Sequence, residues 1–193
     1  MINLYDSKET DFSKNGIVVL NNCMSAPISE ELNGAYELTL EYPIDDTGKW
    51  KYLLEENIIK ADGQLFRIYH KVTTLTSRKV NARHIFYDML DNFIASLTLT
   101  NATGYEALNS VLSGTQYDHP FSNSSDIGGS NTTVIAEMNP VEAILGANGI
   151  ITTWGGELVR DNFKIKLMGA RGLDRGVLVS YGKNIQGIEE TLD

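Results

Sequence analysis

Hydrophobic and polar positions alternate most clearly from Ala35 to Tyr42. Tyr36, Leu38, Leu40 and Tyr42 fall on one face, and Glu37, Thr39 and Glu41 on the other. A period of two predicts a strand with one dry and one wet face. Pro43 has no N–H to donate and ends that ladder. The rest of the first 82 residues has the same character. Asn15-Gly16, Asn33-Gly34 and Asp62-Gly63 each precede a run of strand-formers. Such pairs suit type I′ turns, whose two central residues take φ > 0. Around Asp62-Gly63, Asn57 to Lys60 and Gln64 to Val72 predict a hairpin in which Phe66, Ile68, His70 and Val72 share a face. Lys79 to Ala82 predicts a further strand after the turn Thr73-Thr74-Leu75-Thr76.

The period changes near His84. Ile85, Phe86, Met89, Leu90, Phe93 and Ile94 recur at helical spacing and predict a helix from about Arg83 to Ser96. A second helix starts at Thr103, where Glu106 three residues on completes a capping box, and Gly114 is placed to end it. Asn139-Pro140 is an N-cap followed by proline at the first helical position, so a third helix runs from there to near Asn148-Gly149. Between the second and third helices, Ser122 to Asn131 is polar and glycine-rich, which predicts a mobile surface loop. Strands then return. Ile150 to Trp154 and Glu157 to Arg160 flank Gly155-Gly156 as a hairpin, and Asp161-Asn162 turns into Phe163 to Met168. Val177 to Tyr181 and Ile185 to Ile188 form a last pair. A lone pair of strands is marginal, so the last two are expected to rejoin the first sheet. The order predicts an α+β protein with a discontinuous, mainly antiparallel β domain, residues 1–82 plus 172–193, and an inserted α+β domain, residues 83–171.

Composition narrows the function classes. The 193 residues carry 16 basic and 25 acidic side chains, a formal net charge of −9. A nucleic-acid binder needs a clustered basic surface, so the balance argues against wrapping DNA or RNA. The lone cysteine, Cys23, makes neither an intrachain disulfide nor a multi-cysteine zinc site. No run reaches the roughly 18 apolar residues of a membrane span. The start Met1-Ile2-Asn3-Leu4-Tyr5-Asp6-Ser7 has no basic, then apolar, signal-peptide pattern, which points to synthesis in a cytoplasm.

The candidate chemistry is sparse. His70, His84 and His119 do not fall in a His-Glu-x-x-His pattern, so their spacing makes no zinc site. Cys23 in Asn21-Asn22-Cys23-Met24 has no setting that exposes a thiolate. Asp45-Asp46 and Glu55-Glu56 are carboxylate neighbours that point to opposite strand faces and read as solvated charge. Arg171, Arg175 and Lys183 could grip an anion, although Asp174 between the arginines favours an ion-pair network. Trp50 and Trp154 could stack on a sugar, or anchor the core. No residue is assigned a catalytic, cofactor-binding or metal-binding role, and no cofactor is expected.

Several strings carry a resemblance. They are Asn33-Gly34-Ala35-Tyr36-Glu37-Leu38-Thr39-Leu40-Glu41-Tyr42-Pro43, Gln64-Leu65-Phe66-Arg67-Ile68-Tyr69 and Ala82-Arg83-His84-Ile85-Phe86-Tyr87-Asp88-Met89-Leu90-Asp91-Asn92. Asn139-Pro140-Val141-Glu142-Ala143-Ile144-Leu145-Gly146 and Gly155-Gly156-Glu157-Leu158-Val159-Arg160-Asp161-Asn162-Phe163 follow. Arg171-Gly172-Leu173-Asp174-Arg175-Gly176-Val177 and Tyr181-Gly182-Lys183-Asn184-Ile185 close the set. In this order the chain resembles the N-terminal region of the prophage tail endopeptidases, or tail-associated lysins, minor structural proteins of tailed phages. That region is similar to the baseplate hub proteins of contractile tails.

The resemblance implies a barrel-like tube domain in a homotrimer at the distal end of the tail tube. Tail tube and distal tail proteins would be its partners. DNA would pass through the channel without specific binding, and the location would be the virion tail. Glu37 and Glu41 are candidates to approach that channel, where like charge discourages DNA from sticking. Family members normally continue into a second tube domain and often a lytic or fibre-like region. This chain is therefore expected to be a truncated segment, a degenerate prophage copy or a short variant. It is not expected to be an enzyme; any lytic activity would lie C-terminal to it. Two other classes stand beside this one. A peptidoglycan or peptide hydrolase segment would need a constellation the residues do not offer. A carbohydrate-binding tail module would use Trp50 or Trp154.

Overall fold

The computed structural model describes residues 1–172. The expected strands Val177 to Tyr181 and Ile185 to Ile188 lie outside them. Seven strands build the first sheet: β1 (Asn3–Tyr5), β2 (Val18–Val19), β3 (Ile28–Glu30), β4 (Tyr36–Pro43), β5 (Ile58–Ala61), β6 (Gln64–Thr73) and β7 (Ser77–His84). Their order is β2-β1-β5-β6-β7-β4-β3, with every neighbour antiparallel. Among the described residues β2 and β3 are unpaired edges, so the sheet is open and no barrel closes.

The alternation read along β4 is the one observed: Tyr36, Leu38, Leu40 and Tyr42 are buried, and the residues between them half-buried. They pack with Leu4, Ile59, Phe66, Ile68, Val80 and Ala82 as the core of one sheet face. Successive strand residues point to opposite faces. Tyr5, Ile58 and Leu65, next in sequence to core residues, accordingly gather on the other face with Ile85, Phe12 and Phe163. Asp62 and Gly63 both take positive φ, 50° and 77°, as a type I′ turn requires. At the other two turn pairs only Gly16 and Asn33 do. A register shift between Ile68 and His70 breaks the β6 pattern, so His70 and Val72 face solvent rather than joining Phe66 and Ile68 inside.

The expected helix over Arg83 to Ser96 does not form. β7 runs on to His84, Ile85–Asp91 is a 3-10 helix, and β8 covers Ile94–Thr103. Ile85, Phe86 and Met89 are buried by the short helix, but Leu90 and Phe93, which a continuous helix would bury, are exposed. Leu97 and Leu99 instead alternate with threonine and serine, and β8 pairs with β10 (Ser130–Met138). Long-range pairing outweighs the weak local preference here.

The capping box reads correctly. In α1 (Gly104–Ser113), the Glu106 N–H donates to Thr103 Oγ1 at 3.3 Å, and the Thr103 N–H donates to the Glu106 carboxylate at 2.8 Å. The Thr103 N–H, and then the Thr103 hydroxyl donating at 2.9 Å, hold the Glu106 carboxyl below its usual range. Thr103→Ala is expected to lower stability by about 1 kcal/mol, typical of an N-cap loss; urea denaturation reads it, and an unchanged midpoint would contradict it. α2 (Pro140–Leu145) starts as expected, with Asn139 Oδ1 accepting the Glu142 N–H at 2.9 Å.

Two further expectations are corrected. Ser122 to Asn131 is not a loop throughout: β9 (Ser122–Ser125) lies parallel to β12 (Lys164–Met168), and β10 starts at Ser130. Backbone pairing against a formed strand makes the polar side chains irrelevant. Ile150–Trp154 is not a strand but the short helix α3, whose Ile150 and Trp154, four apart, are both buried. Gly155 and Gly156, at φ 73° and 95°, stop it. β11 (Glu157–Asp161) pairs with β12 as expected. Helices and strands of this second region share one core, including Leu108, Val111, Ile144, Trp154, Leu158 and Leu167.

Candidate functional site

The two regions meet where β11 lies against the β3–β4 turn. Arg160 sits at a core-facing position of β11, with Leu158, and its side chain has no exposed surface. Its Nη1 donates to the Gly34 carbonyl and, at 3.1 Å, to Tyr87 Oη. Its Nη2 donates to the Glu31 carbonyl at 3.0 Å and to Glu30 Oε1 at 3.4 Å. The guanidinium lies 5.1 Å above the Tyr36 ring. Among the described residues only its Nε finds no partner. Arg171 closes the group from outside, donating to both oxygens of Glu30 at 2.9 and 3.1 Å. Burial pushes the Glu30 carboxyl up, but Arg171 and then Arg160 outweigh it and hold it below the usual carboxylate range.

Tyr36 stacks on the His84 ring at 4.6 Å and 7°. His84 Nδ1 accepts the Phe86 N–H at 3.2 Å, which assigns the proton to Nε2, and Nε2 donates to Gln64 Oε1 at 3.1 Å. Burial, followed by the Arg160 charge, lowers the His84 pKa to about 3. Gln64 Oε1 also accepts the Asn162 N–H at 2.9 Å. Asn33 ties the other flank, donating to the Gly156 carbonyl at 3.0 Å and accepting the Leu158 N–H at 2.7 Å. Three sets of hydrogen bonds thus lock the first sheet to the β11–β12 hairpin. The buried histidine is neutral and its ring nitrogens are engaged, so the arrangement orients elements rather than transferring protons.

Beside this junction is a cleft of about 500 Å³. Its floor is a row of aromatic rings: Phe12 to Phe163 at 6.1 Å, Phe163 to Phe121 at 5.4 Å, and Phe121 to His119 at 5.7 Å. One wall is the Arg67–Asp88 pair, with Arg67 Nη2 2.7 Å from the carboxylate. Burial lowers the Arg67 pKa, but Asp88 more than reverses this and raises it. Asn92 fixes the opposite wall, exchanging hydrogen bonds of 2.8 and 3.1 Å with the Tyr117 backbone. Asp91 and Asp118 on the rim are exposed and make no ion pair within 4 Å among the described residues.

The residues singled out from sequence are dispersed. His70 is exposed on β6, His84 is in the junction and His119 on the cleft floor. Cys23 is half-buried, donates to the Leu20 carbonyl at 3.4 Å, and has its thiol pushed up by burial, so it is a poor nucleophile. Asp45 accepts the Thr47 hydroxyl; Glu55 pairs with Lys71 at 3.6 Å, and Glu56 with Arg67 at 4.0 Å. Trp154 is core and donates to the Ala102 carbonyl at 2.8 Å. Trp50 is half-buried beneath the Arg78 guanidinium at 4.7 Å. Neither offers a free stacking face like a sugar platform. Arg171 joins the Glu30 ion pair; Arg175 and Lys183 lie outside the described residues. Glu37 pairs with Arg83 at 3.5 Å and Glu41 accepts the Ser77 hydroxyl at 2.6 Å, so their sheet face carries mixed charge. Among the described residues no three His, Cys, Asp or Glu side chains gather as metal ligands. No helix of the described residues is long and apolar enough to cross a membrane.

Comparison with known proteins covers both regions. Residues 5–88, which hold most of the first sheet and the start of the 3-10 helix, match the family described as the prophage endopeptidase tail N-terminal domain. The fold is similar to that of prophage tail protein gp18 from Listeria monocytogenes EGD-e, with a TM-score of 0.63 at 16% identity. That similarity covers 86% of this chain and 50% of the Listeria protein, so this chain spans about half its length. No curated protein matches the chain.

Proposed function

With residues 5–88 a prophage tail N-terminal domain, we propose that the chain is a structural component of the tail tip. In this reading three copies form a hub ring at the distal end of the tail tube, through which DNA passes. Tube and distal tail proteins are its neighbours and the virion tail its location. The observation that carries the proposal is the family match over the open seven-stranded sheet. Among the described residues its short edges, β2 and β3, leave backbone groups for pairing in an assembly. The proposed division is a β domain of residues 1–82 with 172–193, barrel-like in the assembled ring, around an inserted domain of residues 83–171. The Arg171–Glu30 pair supports it, because it returns the chain to edge strand β3 at the end of the inserted region.

In this reading the chain itself performs no chemistry on the cell wall. The one buried histidine is neutral and occupied, and Cys23 is held as a thiol. The purified protein is expected to leave the turbidity of a peptidoglycan suspension unchanged, and antibodies raised against it are expected to label the distal tip of assembled tails. Label absent from tails, or wall turnover by the protein alone, would overturn the proposal.

A further inference from the structure

Three Asn-Gly pairs lie in the chain: Asn15-Gly16, Asn33-Gly34 and Asn148-Gly149. In such a pair the glycine backbone nitrogen can attack the asparagine side-chain carbonyl, because glycine has no side chain to obstruct the approach. The reaction needs the glycine N–H free of a hydrogen bond, the side-chain amide free to turn towards it, and water. The local sequence is the same at all three pairs, but the surroundings differ.

Asn33 Nδ2 donates to the Gly156 carbonyl at 3.0 Å, and its Oδ1 accepts the Leu158 N–H at 2.7 Å. The Gly34 N–H donates to the Glu31 carbonyl at 3.2 Å. Both reacting groups are engaged, one of them across the junction. Asn148 is exposed, but Gly149 is buried and its N–H donates to the Gly146 carbonyl at 2.9 Å. Asn15 and Gly16 are both exposed. Among the described residues neither the Asn15 side chain nor the Gly16 N–H has a hydrogen-bond partner.

We infer that Asn15-Gly16 is the site at which the folded chain deamidates spontaneously, and that the junction withholds Asn33 from the same reaction. The Gly16 nitrogen gives its proton to solvent base and bonds to Asn15 Cγ. The Cγ–Nδ2 bond breaks, ammonia leaves, and a succinimide closes. Water then adds to either imide carbonyl and opens the ring to aspartate or isoaspartate. No oxidant or cofactor is consumed. Isoaspartate routes the main chain through the former side chain, one carbon longer, and either product adds a negative charge. The position gives this a structural effect. Gly16 lies so close to the Leu4 carbonyl that a Cβ would not fit, and the Ile17 N–H donates to that carbonyl at 2.8 Å. A lengthened link there loosens β2, at the edge of the first sheet, from β1. At Asn33 the same change would set a carboxylate oxygen against the Gly156 carbonyl and break a tie between the two regions. The inference concerns the chain alone and is independent of its place in a tail.

Peptide mapping by mass spectrometry, on the full chain held at mildly alkaline pH, tests it. In denaturing urea all three pairs are expected to convert at similar rates. In the folded chain Asn15 is expected to convert first, with Asn33 and Asn148 slower by roughly tenfold or more, because their reaction waits on local opening. Asn15→Gln is expected to remove the early acidic form seen by isoelectric focusing. Arg160→Ala is expected to speed conversion at Asn33 and leave Asn15 unchanged. Urea below the unfolding midpoint, which loosens the junction without a substitution, is expected to do the same. Folded Asn15 converting as slowly as Asn33, or Asn148 converting as fast as Asn15, would overturn the inference. Asn33 staying as slow in both the Arg160→Ala chain and sub-denaturing urea would overturn the protection assigned to the junction.

Discussion

Arg160→Ala is expected to lower the unfolding free energy by about 3–5 kcal/mol, the range for removing one partner of a buried, hydrogen-bonded ion pair. The Gly34 and Glu31 carbonyls, Tyr87 Oη and Glu30 would each lose the donor that the fully buried Arg160 side chain supplies. At about 2–4 °C per kcal/mol for a chain of this size, the midpoint should fall by roughly 10 °C. Arg160→Lys keeps the charge but not the planar fork, and should lose roughly half as much. The loss should also uncouple the regions: amide exchange in β11 and β12 should accelerate more than in β4. Thermal unfolding that leaves the midpoint within a degree or so of wild type would show that the junction does not hold the regions together.

Acid should destabilise the protein well before its carboxylates titrate. His84 has a folded pKa of about 3, while an unfolded histidine titrates near 6.5. Below 6.5 the unfolded chain takes up a proton that the native junction refuses, because the charge would be buried beside Arg160. The native state therefore loses stability as pH falls from about 6.5 towards 3, at up to about 1.4 kcal/mol per pH unit. By pH 5 the loss is about 2 kcal/mol relative to neutral pH. The depressed Glu30 acts elsewhere: its stabilisation is complete above the normal glutamate pKa and fades only as pH falls below that value. Urea denaturation between pH 7.5 and 5 separates the two. His84→Asn should be less stable at neutral pH but nearly flat across the window; equal slopes in variant and wild type would contradict the assignment.

Elements set by neighbouring residues could be read from the sequence. The β4 alternation, the Asp62-Gly63 turn, the Thr103–Glu106 box and the Asn139-Pro140 start all depend on contacts within a few positions. The elements misread depend on partners far away. β8 is a strand because β10 pairs with it, and β9 because β12 does, whatever their own residues favour. The short 3-10 helix imitates the start of a longer helix, since Ile85, Phe86 and Met89 satisfy either geometry.

The site divides in the same way. Arg160 carried a usable signal, a charge in phase with buried Leu158 along a strand, and His84 another, in phase with Val80 and Ala82. Both parities mark a polar group inside, where it needs partners. Which partners it finds was hidden, because Glu30, Gly34 and Tyr87 come from other elements. The cleft left no trace: Phe12 and Phe163 meet only after both regions have folded and docked.

The most direct test is the density of the assembled tail by cryo-electron microscopy. The hub reading expects three copies arranged around the axis at the distal end of the tube, with the seven-stranded sheets encircling the channel and the β8–β12 regions outside. Copies attached singly to the side of the tail, or a distal ring built without this chain, would contradict it.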